Sequence, residues 1–383
     1  MVVAERWSLF APLPSPLMKL VSAFLLLSIA AGTIFAADEP IDLNRARQIF
    51  ERVRRGEAVT AEERAYVERA QAEMRGRNQQ QQRQEPWKGH ITPLTELGTE
   101  KYKDQSGGLY GGGKNEPPAA HLQAALRETA KIQPLDAAGK PSADGRIGLM
   151  SVGMSNTTQE FSMFVGQANR DPEKARAVTL VDGAQGGRTG ERWADANSDV
   201  WSEVDRRLGA TGVTAAQIQV VWMKQAEGGP ARLGEFPKHA QVLKDNLVKS
   251  VNNLKKIFPN LRVAYLSSRI YGGYATTQLN PEPYAFETAF APRWMIEDQI
   301  AGKPELNYDA AHGEVKAPVL LWGPYLWADG GTPRKADGLT YSHEDFGPDG
   351  THPTNSGREK VAGLLLRFLK TDPTAKSWFT GKR

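Results

Sequence analysis

The stretch RIGLMSVGMSNTTQEF, residues 146–161, joins a short apolar run to a glycine and then to a helical pattern. Four more apolar runs follow, and helical patterns separate several of them. Continuous apolar strands that alternate with helices are typical of a parallel sheet covered on both faces. We therefore predict an α/β domain over residues 146–383, a three-layer α/β/α sandwich with a mostly parallel sheet. The predicted strands cover 146–152, 177–182, 219–223, 262–267 and 318–323, and the predicted helices cover 158–169, 238–257, 283–301 and 355–370.

The bulk composition is that of a globular protein, with 383 residues, 40% of them hydrophobic and 24% charged. The net charge of +4 is small for this length. It does not resemble the concentrated basic stripe of a nucleic-acid-binding protein, so we expect no nucleic-acid partner. The chain has no cysteine, which excludes disulfides, thiolate zinc sites and a cysteine-linked lipid anchor.

The N-terminus has the pattern of a targeting segment. From Met18 a lysine is followed by an apolar run that ends in small residues near Ala36 and Ala37. This order is typical of a cleaved secretory signal. A transmembrane anchor is the alternative, but the run is near the short end of the about 20 residues that span a bilayer. We predict a signal peptide over residues 1–36, with Met18 as an alternative start, and a secreted or periplasmic protein that leaves the membrane after cleavage.

Residues 37–86 are predicted to form a charged helical leader that ends in a glutamine-rich linker. Within it, TAEE at 60–63 has the pattern of a capping box, with Thr60 as the cap and Glu63 at the third helical position. Residues 87–145 are rich in glycine and proline. We expect them to form an irregular extension that packs on the main domain, with one helix over 118–131.

Ser155 follows the first predicted strand. In an open parallel sheet, ligands bind beyond the carboxyl ends of the strands. Gly153 permits a sharp turn there, and Thr157 with Glu160 has the pattern of a capping box that marks the helix start. A serine at this point lies near free amides and the positive end of a helix dipole, which favour a developing oxyanion. The alternative is an ordinary turn or helix-cap serine.

Asp349 and His352 stand three residues apart in GPDGTHPT, residues 347–354, beyond the last strand. An aspartate can fix the tautomer of a histidine, whose other ring nitrogen then acts as a general base toward a serine. The pair is suited to this role but needs a nucleophile. A solvated Asp-Gly turn beside an unrelated histidine is the alternative.

The second and third strands are followed by candidate hydrogen-bond donors. DGAQGGRTG, residues 182–190, contains Gly187, and glycines can bring backbone N–H groups close to a ligand. A phosphate loop is disfavoured because the Gly-Lys-Ser/Thr ending is missing. Lys224 and Gln225 come at the end of the third strand, where either could donate into a site or belong to a solvated loop.

In combination, a serine, a glycine, an amide and Asp-x-x-His, each after a strand, resemble the SGNH hydrolase superfamily of GDSL-like esterases and lipases. The resemblance covers about residues 146–370. It implies a flavodoxin-like fold in which Ser155 is the nucleophile, His352 the general base and Asp349 the residue that orients it. Members of the superfamily cleave esters of lipids, acetylated sugars and related acyl groups.

The same resemblance implies an oxyanion hole formed by the amides of Ser155 and Gly187, with Gln225 as a third donor. The chain departs from the pattern of the superfamily in two places. Met154 replaces the aspartate of Gly-Asp-Ser, and Gln225 stands near where an asparagine is usual. Losing one oxyanion donor typically lowers the rate by about 10²–10³-fold. We therefore expect a slower esterase rather than an inactive one.

The resemblance implies a serine ester hydrolase without cofactor or metal. It would act on small-molecule or polysaccharide esters, with short acyl groups such as acetyl on a carbohydrate preferred. The alternative is a non-catalytic carbohydrate-binding protein on the same scaffold. Arg269, Tyr271 and Tyr274 follow the fourth strand and are predicted to line a substrate pocket, or else to form a surface loop. The sequence does not indicate an oligomeric state.

Two groups of aromatic and histidine side chains could have a functional role, but each could equally have a purely structural one. Trp322, Tyr325 and Trp327 could stack on a sugar or pack in the core. The histidines outside the Asp-x-x-His pair show no metal-ligand spacing, so we predict that they are loop or surface residues and that there is no catalytic metal. They are His90, His121, His239, His312 and His343.

Overall fold

The computed structural model of the chain describes residues 85–382 and, nearer the N-terminus, residues 42, 45, 46, 48, 49, 52, 57 and 59–70. The predicted signal peptide and most of the glutamine-rich linker lie outside the described residues, so both stay predictions. The chain divides into two compact units, residues 1–74 and 75–383. Within the described residues, no helix is long and apolar enough to cross a membrane.

In the first unit, the predicted capping box is confirmed. The Glu63 amide donates to Thr60 Oγ1 at 3.1 Å, and the Thr60 amide donates to Glu63 Oε2 at 2.9 Å. Residues 61–70 are helical. This reciprocal pair satisfies two of the amides that a helix start leaves free. A small apolar cluster is buried here, formed by Ala46, Ile49, Tyr66, Val67 and Ala70.

The second unit is built on a five-stranded parallel sheet, as predicted. The strand order is β4-β3-β5-β6-β7, and every neighbouring pair is parallel. All seven residues of β3 and of β5 are buried, which is why these strands are almost continuously apolar. The strands are β3 (Ile147–Gly153), β4 (Val178–Val181), β5 (Ile218–Lys224), β6 (Val263–Ser267) and β7 (Val319–Trp322), and a separate hairpin is formed by β1 (Lys101–Tyr102) and β2 (Gln105–Ser106).

The helices complete three layers around the sheet. The first crossover, from β3 to β4, runs in the opposite direction along the sheet to all later ones, so right-handed connections place its helix on the opposite face. Accordingly α2 packs against α8, whereas α5 packs against α7. The helices are α1 (Ala119–Thr129), α2 (Ser155–Ala168), α3 (Gly190–Ala194), α4 (Val200–Thr211), α5 (Lys238–Ile257), α6 (Tyr284–Glu287), α7 (Phe290–Ile300), α8 (Asn355–Thr371) and α9 (Lys376–Thr380).

The stretch before the sheet contributes to the same core. Leu94, Leu109, Ala125 and Ile132 belong to the apolar cluster that includes the strands. The helix predicted over 118–131 is α1. The helix predicted over 283–301 is interrupted and forms α6 and α7. The 12-residue helix α4 and the short helices α3 and α9 were not predicted.

The predicted capping box of Thr157 and Glu160 is wrong. Helix α2 begins at Ser155, and its N-cap residue Met154 makes no side-chain capping bond. Both polar side chains turn toward the end of β5 instead. Thr157 Oγ1 donates to the Lys224 carbonyl at 2.7 Å, and Lys224 Nζ lies 2.5 Å from each carboxylate oxygen of Glu160. Because all these groups are buried, they bind the nearest buried partners rather than the helix terminus.

The ion pair between Glu160 and Lys224 ties α2 to β5 in the core. Both side chains are fully buried. Burial raises the pKa of Glu160 and lowers that of Lys224 to about 8. Each charge therefore depends on the other, because a lone buried charge is far more costly than a paired one.

We expect Lys224→Met to lower the free energy of unfolding by about 3–5 kcal/mol, because it leaves Glu160 buried without its cation. The double variant Glu160→Gln/Lys224→Met should recover most of this loss. Urea unfolding measures both. Lys249→Met, at an exposed lysine of α5, is the matched control and should stay within about 0.5 kcal/mol of wild type. A single variant as stable as the control would show that the pair does not stabilise the fold.

Candidate active site

Ser155 lies at the carboxyl edge of the sheet, beside the point where the strand order reverses. The reversal falls between β3 and β5, the position at which open α/β sheets form a ligand crevice. The turn from β3 into α2 requires a glycine: a Cβ on Gly153 would lie 2.3 Å from both the Lys224 carbonyl and Thr157 Oγ1. This tight turn places Ser155 at the first position of the helix, where backbone amides are free.

The structure brings Ser155, His352 and Asp349 together. Ser155 Oγ lies 2.8 Å from His352 Nε2, and His352 Nδ1 lies 2.5 Å from Asp349 Oδ2. A carboxylate oxygen can only accept from Nδ1, so Nδ1 carries the ring proton. Nε2 is then the acceptor for the serine hydroxyl. This is the arrangement in which a histidine can deprotonate a serine as it attacks.

Asp349 is held in its ionised form by its surroundings. Burial on its own would raise the pKa of Asp349, but hydrogen bonds from the His352 ring and from the amides of His352 and Thr351 hold that pKa well below its ordinary value. Both amides donate to Oδ1 at 3.0 Å. The carboxylate is therefore available to orient the imidazole and to stabilise it when it becomes charged.

The loop that carries Asp349 and His352 is anchored at several points. The Asn156 side chain of α2 donates to the Thr351 carbonyl at 2.8 Å, and the Thr276 amide donates to the Asp349 carbonyl at 3.0 Å. Gly350 has φ +63°, and a Cβ there would lie 1.7 Å from the Tyr274 carbonyl oxygen. Glycine is required at this turn for both its conformation and its contact.

We expect Gly350→Ala to lower kcat/KM for a simple ester by about 10²-fold, because displacing the loop misaligns His352. Gly338→Ala is the matched control. Gly338 also has positive φ, at +71°, but no atom lies within 4 Å of its Cβ position. Both variants should share the backbone strain of about 1–2 kcal/mol, seen as a lower midpoint in thermal unfolding. Equal activity in the two variants would contradict this role of Gly350.

Gly187 also lines the site. The loop after β4 is tied to the end of β3, two residues before Ser155, since the Gln185 amide donates to the Gly153 carbonyl at 3.0 Å. A Cβ on Gly186 would lie 4.0 Å from Ser155 Cβ. Gly187 has φ +73° and borders the same cavity as Ser155. The predicted oxyanion donors Ser155 and Gly187 are thus close neighbours.

Gln225 is not placed with them. It is buried, but it is not a lining residue of the cavity at Ser155. Its Nε2 faces the Arg188 carbonyl at 3.5 Å, and its Oε1 accepts from the Ala226 amide at 3.3 Å. Ala226, Glu227 and Gly228 line the cavity instead. The structure thus offers no geometric support for Gln225 as an oxyanion donor.

The cavity at Ser155 has a volume of about 240 Å³. It is small compared with the about 300–1,000 Å³ of typical ligand pockets. Its apolar members include Leu279, one of the few exposed large hydrophobic side chains. The lining residues are Met154, Ser155, Asn156, Gly187, Thr189, Ala226, Glu227, Gly228, Arg269, Leu279, Asn280, Thr351 and His352.

Of the three predicted substrate-binding residues, only Arg269 lines this cavity. Tyr271 is buried against Tyr274 and Trp327, with ring centroids 5.1 and 6.1 Å away. The Tyr274 hydroxyl donates to the Tyr341 carbonyl at 3.0 Å. Tyr274 supports the Asp349 turn, since its backbone carbonyl lies against Gly350, and neither tyrosine lines the cavity.

The remaining predicted aromatic and histidine positions include both buried and exposed side chains, and His90, His312 and His343 are exposed. Trp322, Tyr325 and Trp327 are buried, so they pack in the core and are not available to stack on a sugar. His121 and His239 are also buried, so their assignment as loop or surface residues is wrong. Their Nε2 atoms lie 2.8 Å from the Leu320 carbonyl and 2.7 Å from Glu287 Oε2, respectively. In the part of the chain that the structure describes, no group of three or more histidine or carboxylate side chains could hold a metal ion.

Comparison with known proteins gives distant structural similarity. No family model and no curated protein matches the chain. The chain is similar to a candidate acylhydrolase from Bacteroides fragilis, with 13% identity over 66% of this chain and 97% of that one and a TM-score of 0.34. It is similar to an Arabidopsis thaliana protein, with 15% identity over 55% of this chain and 67% of that one and a TM-score of 0.30.

A gut microbial diltiazem-metabolizing enzyme is also similar, with 15% identity over 61% of this chain and a TM-score of 0.32. This chain spans 48% of that enzyme, about half its length. At such identities and TM-scores the similarities carry no argument about activity. The function must be argued from the site itself.

Proposed function

We propose that the protein is a serine ester hydrolase of the SGNH type. The observation that carries the proposal is the hydrogen-bonded chain from Ser155 Oγ through both ring nitrogens of His352 to Asp349. The position of Ser155 at a helix start beside an open cavity supports it, because a nucleophile needs both access and an oxyanion site. A non-catalytic binding protein has no need of this arrangement.

In the proposed reaction, His352 Nε2 takes the proton of Ser155 as Oγ attacks the ester carbonyl carbon. The carbonyl oxygen becomes an oxyanion, and in this proposal the amides of Ser155 and Gly187, which line the same cavity, stabilise it. His352 then gives the proton to the leaving alcohol, and an acyl-enzyme remains. Water, deprotonated by the same nitrogen, releases the acid and restores the serine.

The small cavity supports a short acyl group such as acetyl. No tryptophan, tyrosine or phenylalanine is among the cavity-lining residues, so stacking on a sugar ring receives no support here. A carbohydrate as the alcohol, and action outside the cell, rest on the sequence pattern alone.

Labelling with a fluorophosphonate probe tests the proposal directly. Wild-type protein should be modified at Ser155, as located by peptide mass spectrometry, and should hydrolyse 4-nitrophenyl acetate faster than 4-nitrophenyl octanoate. Heat-denatured protein is the control for non-specific reaction. A protein that is neither labelled at Ser155 nor able to hydrolyse any ester of the series would rule out the proposed activity.

A further inference from the structure

The wall of the active-site cavity contains an arginine whose donors are unused. Arg269 follows β6 and is only 2% exposed, yet it lines the same cavity as Ser155 and His352. Its Nε and Nη2 atoms are buried and have no hydrogen-bond partner within the described part of the chain. A buried charged group without partners is costly to fold, so an unfilled guanidinium at a cavity wall indicates a site for a ligand.

Other buried arginines of this chain are satisfied, which makes Arg269 stand out. Arg334 donates to both carboxylate oxygens of Asp337 and to the carbonyls of Tyr325 and Trp327, at 2.6–3.0 Å. Arg293 donates to Glu297 and to the Ser106 carbonyl. Neither Arg334 nor Arg293 lines the cavity at Ser155. Within the described residues, the buried guanidinium groups of Arg293 and Arg334 are hydrogen-bonded, whereas Nε and Nη2 of Arg269, beside Ser155, are not.

The carboxylates near Arg269 are already occupied by other donors. Three of them, Glu160, Glu282 and Asp349, interact with it electrostatically. Glu160 is paired with Lys224, and Asp349 with His352. The third, Glu282, accepts from the amides of Gly272 and Phe286 and from the Trp327 indole.

Glu227 is the other acid at the cavity, and it too has partners of its own. It accepts from the Asn246 side chain at 3.1 Å and from the Glu191 amide at 3.3 Å. Burial raises the pKa of Glu227, and it raises that of Glu282, which lies outside the cavity lining, to about 7. Among the residues that the structure describes, no acceptor occupies the Nε and Nη2 atoms of Arg269, but both atoms are buried, so the guanidinium has to turn toward the cavity to meet an incoming anion.

An unused acceptor lies at the same cavity. The Asn280 side chain is 5% exposed, and its Nδ2 donates to the Glu227 carbonyl at 2.8 Å. That carbonyl can only accept, so the amide orientation is fixed and Oδ1 is the atom left without a partner. Asn280 is held at φ +57°, an uncommon conformation for a residue other than glycine. A ligand that satisfies it must offer a hydroxyl or N–H group.

We infer that the cavity binds a free carboxylate at Arg269 and an adjacent hydroxyl or amide N–H at Asn280. The preferred substrate is then an ester that carries a carboxylate beside such a donor, for example an ester of a hydroxy acid. Arginine suits this role because its planar donors match the two oxygens of a carboxylate. The cleavage of such an ester rests on the proposed hydrolase function, whereas its binding does not.

Two pairs of probes test the preference for a carboxylate. In each pair, one member carries a free carboxylate and the other carries the methyl ester of that carboxylate. Mono(4-nitrophenyl) glutarate is compared with its methyl ester, and 4-acetoxybenzoate with its methyl ester. These pairs place the carboxylate on the acyl and on the alcohol side. In at least one pair we expect kcat/KM to favour the charged member by about 10–100-fold, the range of one or two charge-assisted hydrogen bonds. Arg269→Met should abolish this ratio.

Arg146→Met is the matched control, because Arg146 is an exposed arginine immediately before β3, at the opposite end of that strand. It should leave the ratio unchanged. Arg269→Met removes no hydrogen bond from Nε or Nη2, but it does remove the charge that attracts Glu160, Glu282 and Asp349, so its melting temperature is measured beside the ratio. A clear fall in melting temperature, with the charged-to-neutral ratio retained, would assign Arg269 a structural role and overturn the inference.

Binding separates this inference from the proposed function. Calorimetry on the Ser155→Ala variant should show mono(4-nitrophenyl) glutarate or 4-acetoxybenzoate binding about 10-fold or more tightly than its methyl ester. Adding Arg269→Met should remove the difference. The Ser155→Ala protein should also bind 2-hydroxyglutarate more tightly than glutarate. Adding Asn280→Ala should remove this difference in affinity. Equal affinities throughout overturn the inference even if neutral esters are hydrolysed. A carboxylate preference in a protein that hydrolyses nothing would instead sink the hydrolase proposal alone.

Discussion

Replacing Ser155 by alanine is expected to lower kcat/KM for 4-nitrophenyl acetate by at least about 10⁴-fold. The alanine removes the one atom that bonds to the acyl group, so water would have to attack directly. The free amides at the helix start would remain, and they explain any residual rate above the uncatalysed reaction. Initial rates of nitrophenolate release, with active-site titration of the wild type, measure the loss.

Ser202→Ala is the matched control, because Ser202 is an exposed serine on α4 whose hydroxyl donates to the Asp199 carbonyl. We expect wild-type activity for it. The melting temperature should be nearly unchanged in both variants, since each loses one hydrogen bond worth about 1 kcal/mol. If Ser155→Ala retained most of the activity while remaining folded, the nucleophile would have to be another residue.

Asp349→Asn should lower kcat/KM by about 10³–10⁴-fold with little change in KM. The amide offers an N–H group toward the ring, so His352 takes the other tautomer and presents a protonated Nε2 to Ser155. A protonated Nε2 cannot accept the serine proton. The serine itself is untouched, so slow labelling by a fluorophosphonate should persist in this variant and be lost in Ser155→Ala.

The chain supplies a matched control with the same spacing. Asp309 and His312 form a second Asp-x-x-His, but it is exposed, and its Nδ1–Oδ2 distance is 3.4 Å. Asp309→Asn should therefore keep full activity. Loss of activity in both aspartate variants, or in neither, would contradict the role given to Asp349.

The lowered pKa of Asp349 also predicts a dependence of stability on pH. A depressed folded-state pKa means that the ionised carboxylate stabilises the fold above the unfolded pKa of about 3.9, and that this stability is lost as pH falls through the still lower folded value. The stability advantage of wild type over Asp349→Asn should thus be constant near neutral pH and shrink below about pH 4. Urea unfolding across this range measures it.

The parallel sheet was predictable because strands that are buried on both faces appear in the sequence as short, nearly continuous apolar runs. Each of the five apolar runs from 146–152 to 318–323 matches one observed strand to within one residue at either end. Both faces of these strands are covered, so polar residues are almost excluded. The proximity of Ser155, His352 and Asp349 was predictable because these residues come after strand ends, where a parallel sheet forms its ligand crevice.

Other features depend on contacts that no local pattern specifies. Thr157 and Glu160 fit a capping box as well as Thr60 and Glu63 do, but only the exposed pair uses it. The two Asp-x-x-His stretches differ in tertiary position and not in spacing. That Arg269 has no partner depends on where every neighbouring carboxylate points. Helix α4 could have been found, because Trp201, Val204 and Leu208 are buried at helical spacing and Gly212 ends the helix in the left-handed conformation.

The pairing of Ser155 with His352 links two points 197 residues apart in the chain, and α8, which follows the histidine, packs on the helix that the serine begins. Chains are made and fold from the N-terminus. If Ser155 and His352 have the proposed roles, a growing polypeptide therefore contains the nucleophile long before it contains the base, and it cannot hydrolyse an ester until nearly the last segment has docked. Ester hydrolysis would for this reason indicate that folding is complete. Shortened chains that end before His352 should not hydrolyse esters even if the sheet has formed.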